Sequence, residues 1–128
     1  MKSRSEARIL VVEDEAPMAR AIADSLSAEG FHVVVAGNGQ QGMKKLEEDI
    51  FDVVLLDIAM PKVDGMEMMK QVRETEKGRE IPIIIYTNLV PDNDIIQGVS
   101  RDKPVYYFSK TEHDIDFIIK TLDEIISV

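Results

Sequence analysis

The chain has 128 residues, 45% of them hydrophobic and 30% charged, with a formal net charge of −9 and no cysteine. That length fits one domain around one full core. The negative charge disfavours a generic nucleic-acid binder or attachment to anionic membranes, and the missing thiols exclude disulfides, zinc–thiolate sites and thiol catalysis.

In chain order, the opening "MKSRSEARIL" is basic, and its apolar run is too short for a signal peptide, so residues 1–6 are expected to form a loose arm. Apolar runs follow at "ARILVVE" (7–13), "FHVVVA" (31–36), "FDVVLLD" (51–57), "IPIIIYT" (81–87) and "VYYFS" (105–109). Valine, isoleucine and aromatics favour strands, and continuous apolarity suits a parallel sheet covered on both faces. Between them lie segments with helical spacing. Met18, Ile22 and Leu26 mark the first, with Pro17 near its start and Gly30 as its C-terminal cap. Asn38 to Glu48 reads as a weaker helix with Met43 and Leu46 inward and Gly42 costing it about 1 kcal/mol. Asp64 caps a third, in which Met66, Met69 and Val72 share a face before Gly78. The segment "PDNDIIQGVSRDK" is the poorest, with Gly98 inside it, and predicts a short or mobile fourth helix. The fifth carries a stripe of Ile115, Ile118, Ile119, Leu122, Ile125 and Ile126, opened by a capping-box pattern of Thr111 and Asp114. Strict alternation of five strands and five helices through short loops predicts a doubly wound α/β sandwich, one domain from residue 7 to 128.

In such sheets ligands sit beyond the carboxyl ends of the strands. The first strand ends in Glu13-Asp14, the third in Asp57 and the fourth in Thr87, and the fifth is followed by Lys110. Parallel strands bring all five to one rim. Two like charges about 4 Å apart repel by about 4 kcal/mol at an effective dielectric of about 20, so three carboxylates need a positive partner. Hard oxygen ligands suit Mg²⁺, and Lys110 supplies a compact second cation. A carboxylate beside a divalent ion, a hydroxyl and an ammonium can accept a phosphoryl group, with Asp57 as nucleophile.

With these residues in place, the chain resembles the receiver domains of two-component response regulators. "ILVVEDE" resembles the family's first strand and acidic pair, and "DIAMPKVDG" its phosphoacceptor and following loop. "PIIIYT" resembles the strand bearing the switch hydroxyl, and "YFSK" the strand bearing the lysine. The resemblance implies a flavodoxin-like three-layer sandwich with a five-stranded parallel sheet in order 2-1-3-4-5 and five helices. It implies Asp57 as the phosphorylation site, with Glu13, Asp14, Asp57 and the Ala59 backbone carbonyl holding Mg²⁺ or Mn²⁺. Thr87 and Lys110 would contact the phosphoryl group, and Tyr107 would be the switch aromatic. Implied partners are a histidine kinase or histidine phosphotransfer protein and a downstream protein target, with no direct nucleic acid or membrane contact and a cytoplasmic location. The domain would be a phosphorylated signalling module, not an enzyme in the ordinary sense.

The chain departs from the family pattern in places. The lysine is usually followed by a proline in a cis peptide, but Thr111 follows Lys110 here; a non-proline cis bond costs about 3–4 kcal/mol, so the state of this bond is left open, and a trans bond would place Lys110 differently. Asn88 replaces a small residue, and "SRDKPV" replaces a Gly-Ala turn before the fifth strand. A dehalogenase-type phosphatase would need a second Asp where Ala59 stands, and a flavin-binding protein a hydroxyl- and Gly-rich loop where "EDEAPM" stands. The rival reading is a receiver-fold interaction module that works without phosphorylation. Phe117 lies off the last helix's stripe, either exposed or beneath the fourth helix, and His32 and His113 read as surface residues. No output segment is expected after the domain.

Overall fold

The structure is a computed structural model and describes residues 2–59, 65–103 and 106–127. Strands β1 (Arg8–Val12), β2 (His32–Ala36), β3 (Val53–Leu56), β4 (Ile83–Thr87) and β5 (Tyr106–Ser109) form one parallel sheet in the order β2-β1-β3-β4-β5. They alternate with helices α1 (Ala16–Ala28), α2 (Gly39–Glu48), α3 (Gly65–Arg73), α4 (Asn93–Asp102) and α5 (Ile115–Ile126). The order of strands and helices is the one expected. Asp64, the Met60-Pro61 loop and Val105 lie outside the described residues.

Side-chain alternation along the central strands sorts the core into two layers. Leu10, Val12, Val54, Leu56, Ile83 and Ile85 pack with Met68, Met69 and Val72 on the α2–α3–α4 side. Ile9, Val11, Val53, Leu55 and Ile84 pack with Ile22, Leu26, Ile118 and Leu122 on the α1–α5 side. Every residue of β3 is buried, as a strand covered on both faces requires. The register Val12↔Leu56 and Thr87↔Ser109 aligns the carboxyl ends of four strands at one edge.

The helix ends follow their local chemistry. At the end of α1, the Gly30 N–H reaches the Ser27 carbonyl and the Phe31 N–H the Leu26 carbonyl, with Gly30 at φ +101°. This left-handed cap suits glycine, and Leu26 and Phe31 share its hydrophobic contact. Asn38, Asp92 and Asp114 accept backbone N–H bonds from Gln41, Ile95 and Phe117 and so cap α2, α4 and α5.

Three expectations need correction. The α5 cap is Asp114 itself, while the Thr111 hydroxyl pairs with Ser109 at 2.8 Å, so no Thr111–Asp114 box forms. Helix α4 is not short: its ten residues equal α2 and exceed α3. It ends on Lys103 in the left-handed region at φ 51°, and the Arg73 guanidinium donates to the carbonyls of Asp102, Lys103, Gly78 and Ile81. Residues 2–6 are tied down and not loose. Arg4–Glu6 form a 3₁₀ turn, Arg4 forks onto Asp123 and pairs with Glu29, and Lys2 pairs with Asp52.

Arg73 therefore clips three segments through backbone acceptors. Arg73→Ala is expected to leave those carbonyls poorly satisfied and cost about 2–3 kcal/mol, a Tm fall of roughly 8–12 °C for a domain of this size. Thermal unfolding followed by circular dichroism checks this, and a Tm within a degree or two of the parent would refute the clip.

Candidate functional site

The sheet places the carboxylates by continuing its ladder one residue past each strand. The Glu13 N–H donates to the Ala36 carbonyl and the Asp57 N–H to the Val12 carbonyl, both at 3.0 Å. Strand order then sets Glu13 and Asp57 side by side, with Thr87 next to Asp57. Close packing leaves no freedom behind Asp57. A Cβ on Gly65 would lie 2.5 Å from Ile58 Cα and 2.7 Å from the Asp57 carbonyl oxygen, so α3 can begin here only on glycine.

Asp57 is 8% exposed and fully engaged. Its Oδ1 accepts from the Ala59 N–H at 2.9 Å and the Thr87 hydroxyl at 2.7 Å, and its Oδ2 from Lys110 Nζ at 3.0 Å. Lys110 Nζ also donates to Glu13 Oε1. The ammonium thus sits between two buried carboxylates, with only 9% of its side chain exposed. Among the described residues no peptide bond is cis, so Lys110–Thr111 is trans. With this bond trans, the Lys110 ammonium reaches both Glu13 and Asp57.

Asp14 completes the acidic group. Carboxylate oxygens of Glu13, Asp14 and Asp57 lie within 4.8 Å of one another, with Asp14 on the solvent side. Glu13 and Asp14 border a cleft of about 380 Å³ lined also by Arg20, Asp24 and Val35. Asp14 does not cap α1, whose N-cap residue is Glu15. Three hard oxygen donors, one of them open to water, fit the requirements of Mg²⁺.

Burial raises the proton affinity of Glu13, and the Asp57 charge adds to it against the pull of Lys110. Burial acts the same way on Asp57, but the donors from Ala59, Thr87 and Lys110 outweigh it and hold Asp57 below the usual carboxylate range. For Lys110, burial works against the charge, and the two carboxylates more than compensate, keeping it above the ordinary lysine value. Acidification of the metal-free protein should therefore protonate Glu13 before Asp57. Asp57, depressed, contributes stability that is lost as pH falls through its own low range. Glu13, raised, contributes the opposite: its share is present at low pH and lost as pH rises through its titration. Carboxyl ¹³C NMR titration reads both groups, and Asp57 titrating above Glu13 would overturn the assignment.

The sequence matches the model of the response regulator receiver domain family over residues 9–123. The chain belongs to that family. The receiver is similar to the transcriptional regulatory protein DltR of Streptococcus agalactiae, 37% identical over 107 residues, covering 84% of this chain and 47% of DltR. It is similar to the response regulator PleD of Caulobacter vibrioides, 30% identical over 93% of this chain and 24% of PleD. The chain thus spans about half the length of DltR and a quarter of PleD. Among solved structures it is similar to the response regulator TrrA of Thermotoga maritima in complex with Mg²⁺ and BeF, at 27% identity and a TM-score of 0.79, over 93% of this chain and 98% of that one. The chemotaxis protein CheY4 of Vibrio cholerae, 24% identical with a TM-score of 0.83 over 93% of this chain and 98% of that one, shares the fold.

The remaining residues singled out from the receiver's sequence fall as follows. Thr87 already donates to Asp57, and the Leu89 N–H lies 3.3 Å from its Oγ1. Tyr107 is half-buried against the α3–α4 side of the core, and its hydroxyl donates to the Leu89 carbonyl at 3.1 Å. Phe117 is 37% exposed and packs edge-on to Phe108, not beneath α4. His113 is half-buried, stacked on Phe117 with centroids 4.2 Å apart, while His32 is exposed as expected. Tyr86, overlooked in the sequence, is buried next to Thr87 with its hydroxyl on the His113 carbonyl at 2.6 Å. Its hydroxyl, beside that of Thr87 at the end of an otherwise apolar strand, is the signal that could have marked it.

Proposed function

We propose that the protein accepts a phosphoryl group on Asp57 from a phosphohistidine of a histidine kinase or histidine phosphotransfer protein, and passes the signal to a protein target. The observation that supports this most is a buried carboxylate held by a hydroxyl, a backbone N–H and an ammonium at the carboxyl edge of a parallel sheet.

An Asp57 carboxylate oxygen attacks phosphorus in line, forming the acyl phosphate bond as the phosphorus–nitrogen bond breaks. The electron pair leaves on the imidazole nitrogen, and the ring departs as neutral imidazole because its other nitrogen carries the proton. Lys110 and the Thr87 hydroxyl contact the transferring oxygens, trading their present bonds to Asp57 for bonds to the new group. Glu13, Asp14, Asp57 and the Ala59 carbonyl would hold Mg²⁺ or Mn²⁺, which would supply charge neutralisation on the phosphoryl oxygens. Phosphorylation replaces one negative charge by roughly two and adds three acceptor oxygens. Thr87, already turned to Asp57, follows the phosphoryl group, and Tyr107 exchanges its bond to the Leu89 carbonyl for a more buried position. The face formed by α4, β5 and α5 changes shape, to the extent that the phosphoryl group binds the two states with different free energy.

No helix among the described residues is long and apolar enough to cross a membrane. We place the domain in the cytoplasm, where the donor kinase domain and its ATP reside. With a net charge of −9, the contact with the target is assigned to protein surfaces and not to nucleic acid.

Incubation with acetyl phosphate followed by intact-mass measurement tests the reading. A base-labile phosphoryl adduct formed only with Mg²⁺ supports it. No adduct, together with an unchanged Thr87–Tyr107 region on addition of beryllofluoride, would favour an interaction module that works without phosphorylation.

A further inference from the structure

Lys110 stands at the start of a connection, residues 110–114, that contains no proline and joins β5 to α5. A lysine has a long, flexible stem, so its ammonium can be aimed only as well as the backbone beneath it is fixed. The near end of the connection is fixed by the Lys110 N–H, which donates to the Thr87 carbonyl at 3.0 Å. The middle bonds to itself: Thr111 N–H to Ser109 Oγ at 3.2 Å, and the Glu112 and His113 N–H groups to the Ser109 carbonyl at 3.3 and 3.1 Å.

None of those bonds holds the far end to the sheet. The Tyr86 hydroxyl does, through the His113 carbonyl at 2.6 Å. Tyr86 is 7% exposed, and its ring lies in the α1–α5 layer of the core with Ile84 and Ile118, so its hydroxyl is a fixed post and not a mobile surface group. It pairs in register with Phe108, two residues before Lys110. The His113 ring adds a second hold, stacked on Phe117 at 4.2 Å and tilted against Phe108 at 4.9 Å. Two adjacent residues of one strand, Tyr86 and Thr87, thus grip the two ends of the segment that carries the lysine. Burial raises the Tyr86 phenol above its ordinary range, with the Lys110 charge opposing, so the hydroxyl stays a donor throughout the physiological range.

We infer that Tyr86 is a positioning residue for phosphoryl transfer: its hydroxyl, through the His113 carbonyl, fixes the β5–α5 connection and so aims Lys110 at the group on Asp57. This rests on the function proposed above. Tyr86 touches none of the three acidic residues, so it acts on Lys110 without acting on metal binding.

The test compares the parent, Tyr86→Phe, His113→Ala and Asp57→Asn for Mg²⁺ affinity and for the rate of acetyl-phosphate labelling. Tyr86→Phe removes one oxygen from a ring that stays in place. It is expected to slow labelling about five- to tenfold, the consequence of losing one orienting hydrogen bond, while Mg²⁺ affinity stays within about twofold. The Lys110 side-chain NMR resonances should shift in the same variant. His113→Ala keeps the carbonyl and should retain labelling within about threefold of the parent. Labelling by Tyr86→Phe equal to the parent overturns the inference. So does an equal fall in Mg²⁺ affinity, which would mark a general structural role, or His113→Ala as slow as Tyr86→Phe, which would place the hold in the ring stack. Failure of the parent itself to be labelled would instead remove the proposed function.

Discussion

Asp57→Asn is expected to give a folded domain that takes up no phosphoryl group. The carboxamide has the shape of the carboxylate, and its oxygen can still accept from Ala59 and Thr87 at the Oδ1 position. Its nitrogen would then face Lys110, where Oδ2 now accepts at 3.0 Å, and two donors would meet. Lys110 retains Glu13, so the ammonium is not stranded. Removing one of three crowded carboxylates also relieves repulsion, and these opposing effects should leave stability within about 1–2 kcal/mol of the parent. Chemistry is another matter. A neutral amide is a far weaker nucleophile than a carboxylate, and a barrier raised by only about 4 kcal/mol already slows attack by about a thousandfold. Intact-mass analysis with acetyl phosphate and Mg²⁺ should show an adduct on the parent and none on the variant. Full labelling of a folded Asp57→Asn would remove Asp57 as the acceptor.

Much of this site was legible because each member stands one position beyond, at, or just after the end of an apolar run. Runs such as "VVLL" can only be buried strands, and strands joined by short helical crossovers must lie parallel, so the ends converge whatever the helices do in detail. What resisted the sequence was held by contacts distant in the chain. Helix α4 looked weak because Gly98 interrupts it and few of its residues are apolar. Its C-terminus is secured by Arg73, 29 residues earlier, and Gly98 leaves the space that Met66 of α3 fills. Neither contact has a local signature. The N-terminal segment is similar: Arg4 is held by Asp123, 119 residues away, and its guanidinium lies over the Phe31 ring at 5.5 Å. Thr111 shows the opposite failure, a correct motif in the wrong place. A serine two residues earlier takes its hydroxyl, and Asp114, one residue before the helix, caps it directly. The sequence left the bond after Lys110 open between cis and trans and did not place the lysine, because its ammonium is held by two carboxylates far away in the chain.

Lys110→Ala should be the most destabilising change at the rim when no metal is bound. The ammonium lies between Glu13, 2% exposed, and Asp57, 8% exposed, and Asp14 completes a triad within 4.8 Å. Two carboxylates at that distance repel by about 3–4 kcal/mol at an effective dielectric of about 20. Removing one partner of a buried ion pair typically costs about 3–5 kcal/mol, because the charge left behind has neither water nor a counter-ion. The protein has one cheap response, protonation of Glu13, whose proton affinity is already raised by burial and by Asp57. Loss of the lysine raises it further. The destabilisation of Lys110→Ala should therefore be small in acid, where Glu13 is neutral, and grow as pH rises through the Glu13 titration. A divalent cation offers the other response. If Glu13, Asp14 and Asp57 hold Mg²⁺, saturating Mg²⁺ should return more stability to Lys110→Ala than to the parent, because it replaces the missing charge as well as binding. Urea unfolding at pH 5 and pH 8, with and without Mg²⁺, separates these effects. Equal stability of variant and parent at pH 8 without metal would show that Lys110 does not neutralise the carboxylates. An equal gain from Mg²⁺ in both proteins would show that lysine and metal act on different charges. The expected pattern, a loss that base deepens and Mg²⁺ repairs, would establish that one buried cluster of negative charge is balanced alternately by an internal ammonium and by an external cation.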